Sequence, residues 1–83
     1  MWTETAQGLH KQFIFADFHQ AWTFMEQVRV VIDKLDHHPR WQNNWNTVDF
    51  WLLTHAAGDT VTKQDTELAR AIDVAAEACD TYI

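Results

Sequence analysis

Serine is absent from this 83-residue chain, and cysteine, proline and glycine are nearly so, with one, one and two copies. Without serine, a serine nucleophile is excluded. The lone Cys79 excludes an intrachain disulfide and any cysteine-based zinc cluster. It falls late in an apolar helical pattern and reads as a small buried hydrophobe. Gly8 and Gly58 are too few to build a phosphate-cradling loop. Positive charge is scarce as well: six Lys and Arg stand against twelve Asp and Glu, a net charge of −6. That balance gives no basic footprint for nucleic acid. No stretch approaches the roughly 20 apolar residues of a membrane span. The N-terminus has no basic start followed by an apolar run, so no secretory signal is expected. These absences point to a soluble cytoplasmic protein with neither a nucleic-acid nor a membrane partner.

What the chain does have is apolar bulk. Hydrophobic residues make up 47% of it, and five are Trp. One domain spanning 1–83 is expected, near the size at which a single core only just suffices. Some apolar surface is therefore expected between subunits. Residues 2–6 and 9–15 read as two strands around Gln7-Gly8, with Leu9, Lys11, Phe13 and Phe15 alternating with His10, Gln12 and Ile14. Asp17 offers an N-cap to a long helix. Its stripe is Phe18, Ala21, Met25, Val28, Ile32 and Leu35, while Trp22, Phe24, Val30 and Val31 lie off that stripe. A helix apolar on more than one side needs more than one partner surface.

That helix is expected to end near His37, because Pro39 disfavours the helical conformation at His38. Residues 41–46 and 48–55 read as a second strand pair, joined near Asn46-Thr47. Val48, Phe50, Leu52 and Thr54 share one strand face; Asp49, Trp51, Leu53 and His55 share the other. Thr62 and Asp65 form a capping-box variant that opens a last helix with Leu68, Ile72, Ala75, Ala76 and Cys79 inward. Its carboxylates Glu67, Asp73, Glu77 and Asp80 are expected on a solvated face. The order ββαββα predicts an α+β fold, a four-stranded antiparallel sheet with helices packed on one face.

The chemistry concentrates in Asp33-Lys34-Leu35-Asp36-His37-His38-Pro39-Arg40-Trp41 and in Thr54-His55. Adjacent helical residues point about 100° apart, so His37 and His38 chelate a metal poorly, and no HExxH motif is present. Two readings remain open on spacing alone. The histidines can cap a helix end, where the dipole and unpaired carbonyls favour a charged ring and Asp33 and Asp36 add to that field. The same features would tune a general acid or base. Trp41 and Trp45, on one strand face, are candidates for a pocket wall as well as for the core. Trp51 and Leu53, with no helix expected to cover them, are candidates for an interface.

The run 33–39, with Trp41, Trp45, Thr54-His55 and Asp65, closely resembles the pterin-4a-carbinolamine dehydratase family. Phe13-x-Phe15-x-x-Phe18 and Ala21-x-x-Phe24-Met25 resemble its strand-to-helix junction, and the resemblance runs from Trp2 to Ala75. It implies dehydration of 4a-hydroxytetrahydropterin to quinonoid dihydropterin in tetrahydrobiopterin recycling, with no metal and no organic cofactor. It further implies His37 and His55 as acid–base residues. His38 would bind and orient the pterin while sharing in the catalytic set. Asp33, Trp41 and Thr54 would complete the substrate site, with Asp33 holding a histidine and Trp41 lining the pocket. A structural role is expected for Asp65.

The family implies a homodimer or homotetramer and a link to aromatic amino-acid hydroxylases. Some relatives act instead as dimerisation cofactors or assembly chaperones, which leaves a non-enzymatic interaction module as the alternative. Three departures stand out. Asp33 replaces the usual Glu, the His55-to-Asp65 segment is one residue longer, and the sequence begins where many members carry a further N-terminal helix.

Overall fold

Alternation of apolar residues in the first 15 positions builds a hairpin of β1 (Thr3–Thr5) and β2 (Gly8–Ile14). The structure, a computed structural model, describes residues 1–79. The turn depends on Gly8, at φ 113°, because a Cβ there would lie 2.1 Å from the Leu52 carbonyl oxygen. Helix α1 (Phe18–Leu35) begins where the Asp17 side chain accepts the Gln20 N–H at 2.9 Å. β3 (Arg40–Asn44) and β4 (Thr47–Leu52) follow, then a 3-10 turn at His55–Ala57 and α2 (Lys63–Glu77). The sheet is antiparallel throughout, in the order β1-β2-β4-β3.

One face of the sheet is apolar and both helices close over it. Phe13, Val48, Phe50 and Leu52 meet Ala21, Phe24, Val28 and Ile32 of α1 and Leu68, Ile72 and Ala76 of α2. Phe13, Phe24 and Phe50 pack edge-on or tilted, with centroids 5.1–6.0 Å apart. The α+β expectation therefore holds, as do the Asp17 cap and the inward face of α2 at Leu68, Ile72, Ala75 and Ala76; Cys79 is buried as expected but lies beyond the end of the helix.

Several local expectations are corrected. The buried stripe of α1 runs through Phe24, and Phe18 is exposed, so the inward face is rotated from the one read off the sequence. Helix α1 stops at Leu35 because Asp36 takes a left-handed conformation, φ 51°, two residues before Pro39 could act. His37 and His38 thus lie beyond the helix rather than on its last turn. Trp45 sits in the β3–β4 turn at φ 53° and is 64% exposed, so it walls nothing. Asp73 is not simply solvated: it accepts from Lys11 Nζ at 2.8 Å and Trp2 Nε1 at 3.1 Å, tying the N-terminal hairpin to α2. Asp80, assigned to the same solvated face, lies outside the described residues.

Candidate active site

A carboxylate with no solvent exposure organises the ends of three elements. Asp65, in the first turn of α2, is fully buried. Its Oδ1 is 2.6 Å from His37 Nε2. Its Oδ2 accepts the Thr54 hydroxyl at 2.7 Å and the Thr62 backbone N–H at 2.8 Å. Burial alone would raise this carboxyl, but the bonds from His37, Thr62 and Thr54 together outweigh it and hold Asp65 below the ordinary carboxylate range. An ionised carboxylate only accepts, so the His37 proton sits on Nε2. The His37 side chain is 13% exposed, and its Nδ1 has no hydrogen-bond partner among the described residues.

Beside this anchor opens a cleft of about 300 Å³ lined by Ala6, Gln7, His38, Arg40, Trp51, Leu53, His55 and Asp59. Its floor is layered on the open sheet face. Trp51 pairs with Arg40 on one side and His10 on the other. The Arg40 guanidinium stands 4.6 Å from the indole centroid, and the His10 ring stacks at 5.0 Å. Below that layer His10 Nε2 lies 2.9 Å from Asp49, which also accepts from Gln12. His55, the first residue of the 3-10 turn, presents Nδ1 to Asp59 at 2.7 Å.

The sequence expectations sort as follows. His38 and His55 meet in the cleft; His37 is held behind it by Asp65 and is not among the lining side chains. Asp33 holds no histidine. It pairs with Arg29 one helical turn back, at 3.2 Å, because α1 ends before His37 can share its face. The anchoring task falls to Asp65, which combines it with helix capping. Trp41 faces the core, stacked on Phe50 at 5.4 Å, and the lining Trp is Trp51. Thr54 points inward to Asp65, is buried and is not among the cleft-lining residues. Leu53 and Trp51, candidates for an interface, line the cleft. Arg40, Gln7 and Asp59 were not anticipated. No sequence pattern singled them out; Arg40 reaches the cleft through its strand pairing with Trp51. Among the described residues no group of three or more His, Cys, Asp or Glu is arranged to hold a metal ion.

The family model for pterin 4 alpha carbinolamine dehydratase matches residues 1–75. The chain belongs to this family. A relative from Bradyrhizobium diazoefficiens, provisionally named pterin-4-alpha-carbinolamine dehydratase, is 45% identical over 78 residues, spanning 92% of this chain and 77% of its own length. One from Nitrobacter winogradskyi with the same provisional name is 41% identical over 80 residues, 94% of this chain and 78% of its own. The crystal structure of a transcriptional coactivator/pterin dehydratase from Brucella melitensis superposes with a TM-score of 0.85 at 38% identity, covering 90% of this chain and 81% of that one. The dehydratase-family chain thus keeps the family's sheet and helices, and the cleft described above is its candidate active site.

Proposed function

We propose that the protein dehydrates 4a-hydroxytetrahydropterin to quinonoid dihydropterin by histidine acid–base catalysis. The observation that carries this reading is the placement of His38 and His55 on one cleft, beside a third histidine whose ring is pinned by an ionised, buried carboxylate. Dehydration moves two protons. His55 gives one to the 4a-hydroxyl, the C4a–O bond breaks and water leaves. His37 does not line the cleft, so the N5–H proton reaches its Nδ1 through a bridging water, and the N5 electron pair forms the C4a=N5 bond. No electrons are gained or lost overall, so no redox partner is required. Asp65 stabilises the His37 imidazolium formed in this step and keeps the ring from rotating. His38 and the Trp51 face orient the flat pterin ring, which suits an aromatic wall.

The test is direct. Purified protein is mixed with synthetic 4a-hydroxytetrahydropterin and the decay is compared with a protein-free reaction. A multiple-turnover acceleration is expected, and equal decay in both would remove the enzymatic reading. The pterin is the proposed small-molecule partner, and a source hydroxylase acting on aromatic amino acids is the proposed supplier.

We also propose a homodimer or homotetramer. The support is Phe18, Trp22 and Val30, all about half exposed on α1. Trp22→Glu should shift the protein toward monomer in light scattering while its far-UV spectrum is retained; unchanged mass would place the contact elsewhere. The same three side chains favour the second reading, in which the fold serves as a dimerisation or assembly module, if they take up a different protein instead.

A further inference from the structure

Asp59 is not among the motif residues on which the family resemblance rests. Its position is nevertheless set by several bonds. Thr54 N–H reaches the Thr60 carbonyl at 2.9 Å, Gly58 N–H the His55 carbonyl at 3.0 Å, and the Thr60 hydroxyl the Ala57 carbonyl at 3.2 Å. These close residues 54–60 into a compact turn. Gly58 and Asp59 both take positive φ, 86° and 58°. Aspartate is among the few non-glycine residues that tolerate this region. The chain therefore doubles back, and the Asp59 carboxylate arrives 2.7 Å from His55 Nδ1, on the rim of the cleft that both line. His55 Nε2 has no hydrogen-bond partner among the described residues.

We propose that Asp59 is the positioning residue for His55, fixing its neutral ring in the Nδ1–H tautomer so that Nε2 is the nitrogen that exchanges protons with substrate. The inference rests on the dehydratase reading above. The chemistry is specific to the direction of transfer. When the doubly protonated ring gives its Nε2 proton to the leaving hydroxyl, the remaining proton is on Nδ1. A free histidine side chain prefers the other tautomer, with hydrogen on Nε2. The Asp59 carboxylate offsets that preference by accepting the Nδ1–H bond, and it also fixes the ring's rotation about the cleft. The pair is well exposed, with side chains 83% and 69% accessible. Its effect is accordingly that of an exposed ion pair, far smaller than that of a buried one.

Two readouts test this on the full chain. The first is the ¹⁵N–¹H long-range spectrum of His55 at a pH where the ring is neutral, assigned by the signals lost in His55→Gln. Wild type should show Nδ1–H, Asp59→Asn should keep it through the amide oxygen, and Asp59→Ala should revert to Nε2–H. A wild-type Nε2–H ring would overturn the proposal. The second is steady-state dehydration. Asp59→Ala should lower kcat by about two- to five-fold with KM little changed, and Asp59→Asn should recover part of the loss. Unchanged kcat in Asp59→Ala would also overturn the proposal. Unperturbed His37 signals establish that each variant is folded. A wild-type protein with the Nδ1–H tautomer but no turnover would retire the dehydratase reading while leaving the His55–Asp59 pairing in place.

Discussion

Asp65→Ala is expected to lower the free energy of unfolding by about 3–5 kcal/mol. A domain of this length holds roughly 4–12 kcal/mol in total, so much of the stability rests on one side chain. The substitution strands the His37 N–H, the Thr54 hydroxyl and the Thr62 N–H together, and all three now bond the carboxylate within 2.8 Å. Asp65→Asn keeps an oxygen for the Thr62 N–H but loses the charge that His37 faces. It should fall between wild type and alanine, at about 1–3 kcal/mol. Urea midpoints measure both.

The pH dependence follows from the sign of the Asp65 shift. Its carboxyl is lowered in the folded protein, so the unfolded chain binds the proton more readily. The stabilisation is complete above the ordinary aspartate value near 3.9 and is lost as pH falls through the lower folded value. Midpoints of wild type and Asp65→Asn should therefore hold a constant separation above about pH 4 and converge as pH falls below it. Curves that stay parallel below about pH 4 would mean that Asp65 carries no linked proton.

The second large effect is catalytic. His55→Ala should lower kcat by about 10²–10⁴, the range for loss of a general acid, with KM nearly unchanged. His38→Ala, which removes a cleft wall but no transferred proton, should act mainly on KM. Stopped-flow dehydration of the carbinolamine separates the two. Wild-type kcat in His55→Ala would take the acid role from His55 without touching the fold.

These roles differ in how readable they were. The helix cap at Asp17, the element order ββαββα and the capping pair Thr62–Asp65 are local patterns, and each formed as its spacing implied. Asp33 misled because i, i+4 spacing to His37 presumes a helix that continues, and one left-handed residue, Asp36, breaks it. Trp45 misled for the same reason, since its strand face exists only if the strand reaches it. Thr54 and Asp65 carry a different lesson. Their contact spans eleven residues and two elements, and nothing periodic records it. Asp59 joins the site through two positive-φ residues, a backbone choice that sequence pattern does not display.

The hydroxyls of Thr54 and Thr62 lie 2.7 Å apart, and both reach the same Asp65 oxygen. The segment between them, which carries His55 and Asp59, thus leaves and re-enters the protein at nearly one point. Such a segment behaves as an exchangeable cassette. Adding a residue to it changes the closure entropy by well under about 0.6 kcal/mol, the cost of doubling a loop, and leaves the His37 anchor undisturbed. A change of length in this segment therefore alters the His55 side of the cleft while the Asp65–His37 contact stays in place.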